Sequence, residues 1–307
     1  MKQTTDIELS GLTGSSPIGA LAAFGLLRLC AEIPSLRDAK LAWRREDDWV
    51  AVLEVSDVFG PDSLVGLLNE HLKQQSHQVF AWADDIRVQK SDYCQVLQQS
   101  LSDASSVNRR LCDYLAAFAS EMAVDNTKGL VKPTAFYMTS GQQKFLSSAL
   151  ELTETFKKDQ PEKIREALFG PWLYRDKQHA LGWDPAAERV YALRHKKPGE
   201  EAPTSISGAV RLALEALPLY PVFPDKRGRL TTSGFVRINR ENIFRWPLWR
   251  DPIRLDTLKS LVIANLENED DFAQRGVTAV YSSIRSEFGQ GYGIFRPAQL
   301  VWQQTWG

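Results

Sequence analysis

The sequence predicts an α+β fold, with mixed helices and several antiparallel hairpins around a central N-terminal helix. Three observations lead there. Helix-like and strand-like runs follow one another without the regular strand–helix–strand alternation that builds a parallel sheet. Short apolar alternations come in pairs, separated by charged or glycine-bearing turns. One stretch, GLTGSSPIGALAAFGLLRLCAEI from Gly11 to Ile33, joins a polar turn to a run of small and apolar residues.

Taken in order, residues 6–10 (DIELS) alternate in polarity and read as a short strand. The turn Gly11–Ser16 follows, then a helix from Pro17 to about Glu32. Proline fits the first helical position, and Ser15 or Ser16 fits the cap before it. Pro34 ends the helix. Gly19, Ala20, Ala22, Ala23 and Gly25 inside it are small. A mid-helix glycine costs roughly 1 kcal/mol against alanine, so close approach of another backbone is expected to offset it. KLAWRREDDWVAVLEV (40–55) reads as a hairpin with a charged turn at Arg44–Asp48. Residues 61–75 and 91–122 carry helical spacing, the latter through Val96, Leu97, Leu101, Val107, Leu111, Leu115 and Phe118.

Residues 132–152 read as an extended piece, a turn at Ser140–Gly141 and a helix, and 161–169 as another short helix. RHKKPGEEAPT (194–204) is polar, charged and proline-bearing, a loop or linker. It divides the chain into an N-terminal α+β domain, 1–193, and a C-terminal one, 205–307. The second carries a helix at 207–218, a hairpin with a basic tip at 219–239 and a helix at 255–266. A final hairpin at 276–302 turns around GQGYG.

A formal net charge of −1 excludes an autonomous, strongly basic nucleic-acid binder. The charge is uneven, however. Lys and Arg against Asp and Glu number 14 to 18 over residues 1–150, but nine to four over 225–259. A neutral chain with that distribution still presents one cationic face. Nine tryptophans suit cores and interfaces equally. Cys30, Cys94 and Cys112 form no C-x-x-C pair, so reduced thiols in a cytoplasmic protein are expected, without zinc or a disulfide framework. Asp6 and Glu8 precede the apolar run where an export signal wants positive charge, and Arg28 interrupts it. The continuous apolar part, Ile18–Leu27, is ten residues, half of what a bilayer needs.

A polar turn opening a helix invites an anion, because backbone N–H groups and the helix dipole favour one there. Thr13, Gly14, Ser15 and Ser16 are therefore a candidate phosphate-binding turn, although no lysine follows as in a nucleotide loop. GQGYG (289–293) opens no helix and reads as a hairpin turn. No hydrolase, metalloprotease or phosphohydrolase motif occurs, and His71, His77, His179 and His195 are scattered. The pairs Asp47–Asp48, Asp84–Asp85 and Asp270–Asp271 read as charged turns, or as holders of Mg²⁺ in a nuclease. The expectation is a non-catalytic protein without metal or cofactor.

The run DKRGRLTTSGFVRINRENIFRWPLWRDPIR (225–254) sets arginines among Phe235, Phe244, Trp246 and Trp249. Arginine contacts phosphates bidentately and aromatic faces accept unstacked bases, while the plain alternative is a hairpin with its aromatics in the core. Lys226, Arg227, Arg229, Arg237, Arg240, Arg245 and Arg250 are candidate nucleic-acid contacts, joined by Arg44 and Arg45 in the charged turn and Arg285 near the last one.

GLTGSSPIGALAAFGLLRL resembles the N-terminal signature of proteins encoded with type I-G (formerly I-U) CRISPR–Cas systems. GWDPAAERVYALR, GAVRLALEALPLYPVFP, TTSGF, WPLWRDPIRLDTLKSL, RGVTAVYSSIR and FRPAQLV extend the likeness over most of the chain. The resemblance is to the large-subunit-like proteins or to the family described as an extension of the Cas helicase–nuclease. It implies a non-catalytic subunit of an RNA-guided DNA surveillance complex in antiviral defence. Such a subunit contacts the PAM duplex or the R-loop and docks the helicase–nuclease. The implied partners are the other effector subunits, guide RNA and target DNA, with no membrane. A metal-dependent nuclease and a protein–protein adaptor touching no nucleic acid are the alternatives.

Overall fold

The computed structural model describes residues 4–56, 60–105, 109–139, 143–186, 204–264, 269–288 and 292–304. Its class is α+β, and every paired strand is antiparallel. The first sheet contains β1 (Thr4–Thr13), β2 (Lys40–Arg45) and β3 (Trp49–Ser56), in the order β1-β3-β2. Ile7 and Leu41 both stand opposite Leu53, so one face of this sheet is apolar. The first strand does not stop at Ser10. Past an irregularity after Leu9 it pairs again at Thr13 with Val50, and Leu12 is fully buried, which leaves only Gly14–Ser16 as the turn. Ser16 then caps α1 (Pro17–Glu32), its hydroxyl accepting from the Gly19 N–H at 3.3 Å.

Helices follow: α2 (Pro61–Gln74), α3 (Gln78–Ala81), α4 (Lys90–Ser102) and α5 (Arg110–Phe118). The periodic run 91–122 is therefore not one helix. The polar stretch after Leu101 offers side-chain hydrogen bonds that compete with helix, and Ala119–Val124 alternates and becomes the strand β4. That strand pairs with β5 (Val131–Pro133), and α6 (Phe145–Phe156) and α7 (Pro161–Phe169) complete this half. The expected turns at Ser140–Gly141 and at the GQGYG tip lie outside the described residues, apart from Tyr292 and Gly293.

After α8 (Ser207–Ala216), the expected hairpin 219–239 resolves into two pairings. β6 (Val222–Pro224) pairs with β7 (Leu230–Thr232), while β8 (Phe235–Ile238) pairs with β9 (Glu241–Trp249). α9 (Leu255–Ile263) and α10 (Asp270–Gln274) precede β10 (Val277–Phe288), whose other edge takes both β11 (Tyr292–Phe295) and β12 (Gln299–Gln303).

Every residue of α1 from Pro17 to Cys30 is buried, and the helix packs against α8. Gly25 is where they meet. A Cβ there would run into the carbonyl oxygen of Leu212, so the two backbones touch as the small-residue pattern requires. Phe24 stacks on Trp249 at 5.8 Å between ring centroids. The Trp249 indole N–H donates to the Leu41 carbonyl at 2.7 Å, and that of Trp246 to the Gly14 carbonyl at 2.8 Å. Burying these rings removes a large apolar area while each indole N–H keeps a partner. The break at 194–204 falls outside the described residues except for Thr204, and the segments on either side share one continuous core.

Candidate nucleic-acid interface

Three of the ten cationic candidates converge. Arg229, Arg237 and Arg285 line a groove of about 720 Å³ between the β4–β5 hairpin and the C-terminal strands. Its floor is the strap 134–139, which turns at Ala135 and Phe136. The strap is held by the Ala135 N–H, which donates to the Thr232 hydroxyl at 2.8 Å, and by the Gly293 N–H, which donates to the Met138 carbonyl at 3.1 Å. The Trp183 indole donates to the Phe136 carbonyl at 3.0 Å, and the Phe136 ring is surrounded by Tyr220, Phe235, Phe244 and Phe295. Position is thus fixed from beneath by aromatic packing.

The opposite wall was not legible in the sequence. Arg87, Lys128, Lys132 and Lys144 from the N-terminal half bring the lining to seven cations against four carboxylates, Asp85, Asp125, Asp225 and Glu287. These carboxylates are already committed. Asp85 accepts from the Tyr137 phenol at 2.8 Å and from the backbone N–H groups of Ile86 and Phe145. Asp125 accepts from the N–H groups of Thr127, Lys128 and Leu130, which hold its pKa below the usual carboxylate range, the Lys128 bond most of all. Asp225 is held down at about 2, first by the Arg229 N–H and also by the Arg229 guanidinium and the Arg227 N–H. Glu287 pairs with Arg285 at 3.0 Å and Lys144 with Asp84, just outside the groove, at 2.6 Å. Arg87, Lys128, Lys132 and Arg237 make no ion pair among the described residues. The surplus charge is positive.

Arg285 differs from the rest. Its side chain is only 16 % exposed, and one guanidinium nitrogen donates to the Tyr137 carbonyl at 3.0 Å. Burial lowers its pKa. Burial also pushes the Tyr137 phenol up to about 12, so that group stays neutral.

The remaining candidates lie elsewhere. Lys226 and Arg227 stand exposed at the 225–229 turn, and Arg240 at the β8–β9 turn, where its φ is 71°. Arg245 is half-buried on β9, opposite Ser282. Arg44, Arg45 and Arg250 form a separate patch around a smaller hollow of about 400 Å³. Arg44 is matched by Asp6 at 3.3 Å and Glu8 at 3.2 Å, while Arg45 and Arg250 lie over the Trp49 ring at 5.9 and 6.0 Å. The turn Thr13–Ser16 meets this patch and is already occupied by the chain itself. Its Gly14 N–H donates to the Trp49 carbonyl at 2.7 Å, and the Ser15 hydroxyl donates to Asp48. A carboxylate stands where the sequence suggested a phosphate. Of the aromatics in the basic run, Phe244, Trp246 and Trp249 are at most 1 % exposed, so they are core and not stacking platforms; Phe235 alone reaches the groove.

A second polar assembly was invisible in the sequence beyond the oddity of Arg28 in an apolar helix. Arg28, Arg110 and Arg211 surround the fully buried Glu215 at 2.7, 2.6 and 2.6 Å. Glu32 joins them at 3.2 Å from Arg28 and 3.3 Å from Arg110, with His71 Nε2 at 3.1 Å. The Gln75 side-chain carbonyl accepts from Arg211, and the Tyr114 ring lies under Arg28 and Arg110. Burial alone would raise the Glu215 pKa; the charges of Arg110, Arg211 and Arg28 outweigh it and hold the carboxyl ionised. For Glu32, burial is again outweighed, here by His71 and Arg110. This cluster ties α1, α2, α5 and α8 together.

The three acidic pairs stay apart, Asp48 on Ser15, Asp84 on Lys144, Asp271 on Arg275. Among the described residues no group of three or more His, Cys, Asp or Glu could hold a metal ion, and no helix is long and apolar enough to cross a membrane. In comparisons with known proteins, no family model, no curated protein and no solved structure matches the chain.

Proposed function

We propose that the chain is a non-catalytic, nucleic-acid-contacting subunit of a type I CRISPR–Cas surveillance complex, with the groove as its contact for a phosphodiester backbone. The observation that carries this reading is the surplus of cations gathered in one groove from both halves of a chain whose net charge is −1. Local concentration of positive charge binds polyanions by counterion release, whatever the overall charge. The sequence resemblance supplies the setting: other effector subunits, guide RNA, target DNA and a helicase–nuclease as partners.

Lys132→Ala with Arg237→Ala tests the groove. The double variant is expected to lower affinity for labelled oligonucleotides about tenfold at low salt and to flatten the salt dependence, each lost phosphate contact removing roughly 0.7–0.9 from the logarithmic slope. Both residues are at least partly exposed, so stability should stay within about 0.5 kcal/mol. Unchanged binding removes the groove from the interface. Turnover of DNA or RNA with Mg²⁺ or Mn²⁺, abolished by Asp84→Ala or Asp271→Ala, would favour the nuclease reading. Co-purification with a guide-RNA complex supports the subunit reading.

A further inference from the structure

Charge alone would make the groove a track for any polyanion, yet its inner end carries more than charge. The Thr139 hydroxyl, in a residue 4 % exposed, lies beside the Tyr137 phenol, which is its one polar neighbour among the described residues. The Gln143 amide nitrogen and the Arg285 Nε are buried and unpartnered. Such groups are costly to bury without partners, and these two line the same groove. Beside them stands the half-buried Phe235. It is braced edge-on against Phe136 at 4.9 Å and stacked near Phe295 at 6.2 Å, so its orientation is fixed.

We propose that this end of the groove seats an unpaired nucleotide, its base against Phe235 with its polar edge on Thr139 and Gln143, and its phosphate between Arg237 and Arg285. The inference rests on the nucleic-acid reading above and narrows it to single strands. In a duplex the base edge is spent on its complement and the flat faces are stacked on neighbours, so neither is available to these groups. A single strand can turn one base inward, and an aromatic ring accepts any base face. The volume, about 720 Å³, is that of a small-ligand cleft, not of a channel for a helix. The committed carboxylates Asp125 and Asp225 along the same walls disfavour a continuous run of phosphates and favour one or two.

The test compares three labelled probes on the full chain at one low salt concentration: a short oligothymidylate, an abasic strand of equal length, and a duplex of equal length. The base-bearing strand is expected to bind about tenfold tighter than the abasic strand. Gln143→Ala and Phe235→Leu are expected to erase that preference while leaving abasic binding unchanged. Lys132→Ala with Arg237→Ala should weaken both strands alike. Phe235→Leu is checked for folding by its melting transition, and Gln143→Ala removes only a partly exposed side chain. Equal affinity for base-bearing and abasic strands overturns the proposal and leaves the backbone-contact reading standing, as does tighter binding of the duplex. A preference that survives both substitutions overturns the assignment to this end. Absence of binding by all three probes overturns the two readings together.

Discussion

On and beside α1 three largely buried arginines gather around Glu215, whereas along the groove every cation but Arg285 is at least partly exposed and Arg87, Lys128, Lys132 and Arg237 make no ion pair among the described residues. The two regions use the same side chain under opposite constraints. An arginine in the interior is tolerable only when its charge is matched, so Arg28, Arg110 and Arg211 share Glu215 and Glu32, with Gln75 and Tyr114 accepting from further guanidinium N–H groups. At the surface water does this work, and an unmatched arginine costs the fold little. The contrast separates residues that hold the structure from residues that the structure holds out for something else.

Removing the shared carboxylate breaks this comparison most severely. Glu215→Gln leaves Arg28 and Arg110 with Glu32 alone and Arg211 with no carboxylate, and a loss of about 3–5 kcal/mol is expected in urea unfolding. A loss no larger than that of an exposed substitution would mean that the cluster is not sealed from water.

Acid probes the same cluster without mutation. Both Glu32 and Glu215 have folded-state pKa values below the ordinary one near 4.3. A carboxyl group depressed by folding contributes stability above its unfolded pKa and loses it as pH falls toward the folded value. The urea midpoint should therefore be flat down to about pH 5 and fall below it. Glu32→Gln should be less stable at neutral pH and show a shallower acid limb. An acid limb as steep in the variant would remove Glu32 from the cluster's electrostatics.

The smallest effect, and of opposite sign, is expected at the rim. Asn239 and Arg240 turn the β8–β9 hairpin with φ values of 49° and 71°, a conformation that glycine adopts more cheaply. Arg240→Gly should raise stability by about 1 kcal/mol, read as a higher melting temperature. Destabilisation instead would show that the Arg240 side chain is part of the fold and not held out from it.

The sequence disclosed the interior unevenly. The small residues of α1 announced a close backbone neighbour, and Leu212 beside Gly25 is that neighbour. Ser16 as cap and Pro17 as first helical residue were equally plain, because both are local chemistry. Arg28 stood out in an apolar run, but nothing local reveals that its partner is Glu215, 187 residues away. The groove was half legible for the same reason. The basic run gave Arg229 and Arg237, while Arg87, Lys128 and Lys132 lie in segments of unremarkable composition and acquire meaning only when the β4–β5 hairpin folds against β7 and β8. The aromatics of that run misled, since Trp and Phe look alike in sequence whether they await a base or fill a core.

The contact of Gly25 with Leu212 also sets an order of events. During synthesis at about 5–20 residues per second, α1 emerges roughly ten to forty seconds before the helix that covers it. For that interval a helix whose first eleven residues are wholly apolar or small has no permanent place to rest, and the newborn chain must be sheltered by early contacts with β1 and β2 or by a chaperone. Breakage of the nascent chain before residue 207 would release a fragment whose most apolar segment is permanently bare, so truncated products of this chain are expected in the insoluble fraction.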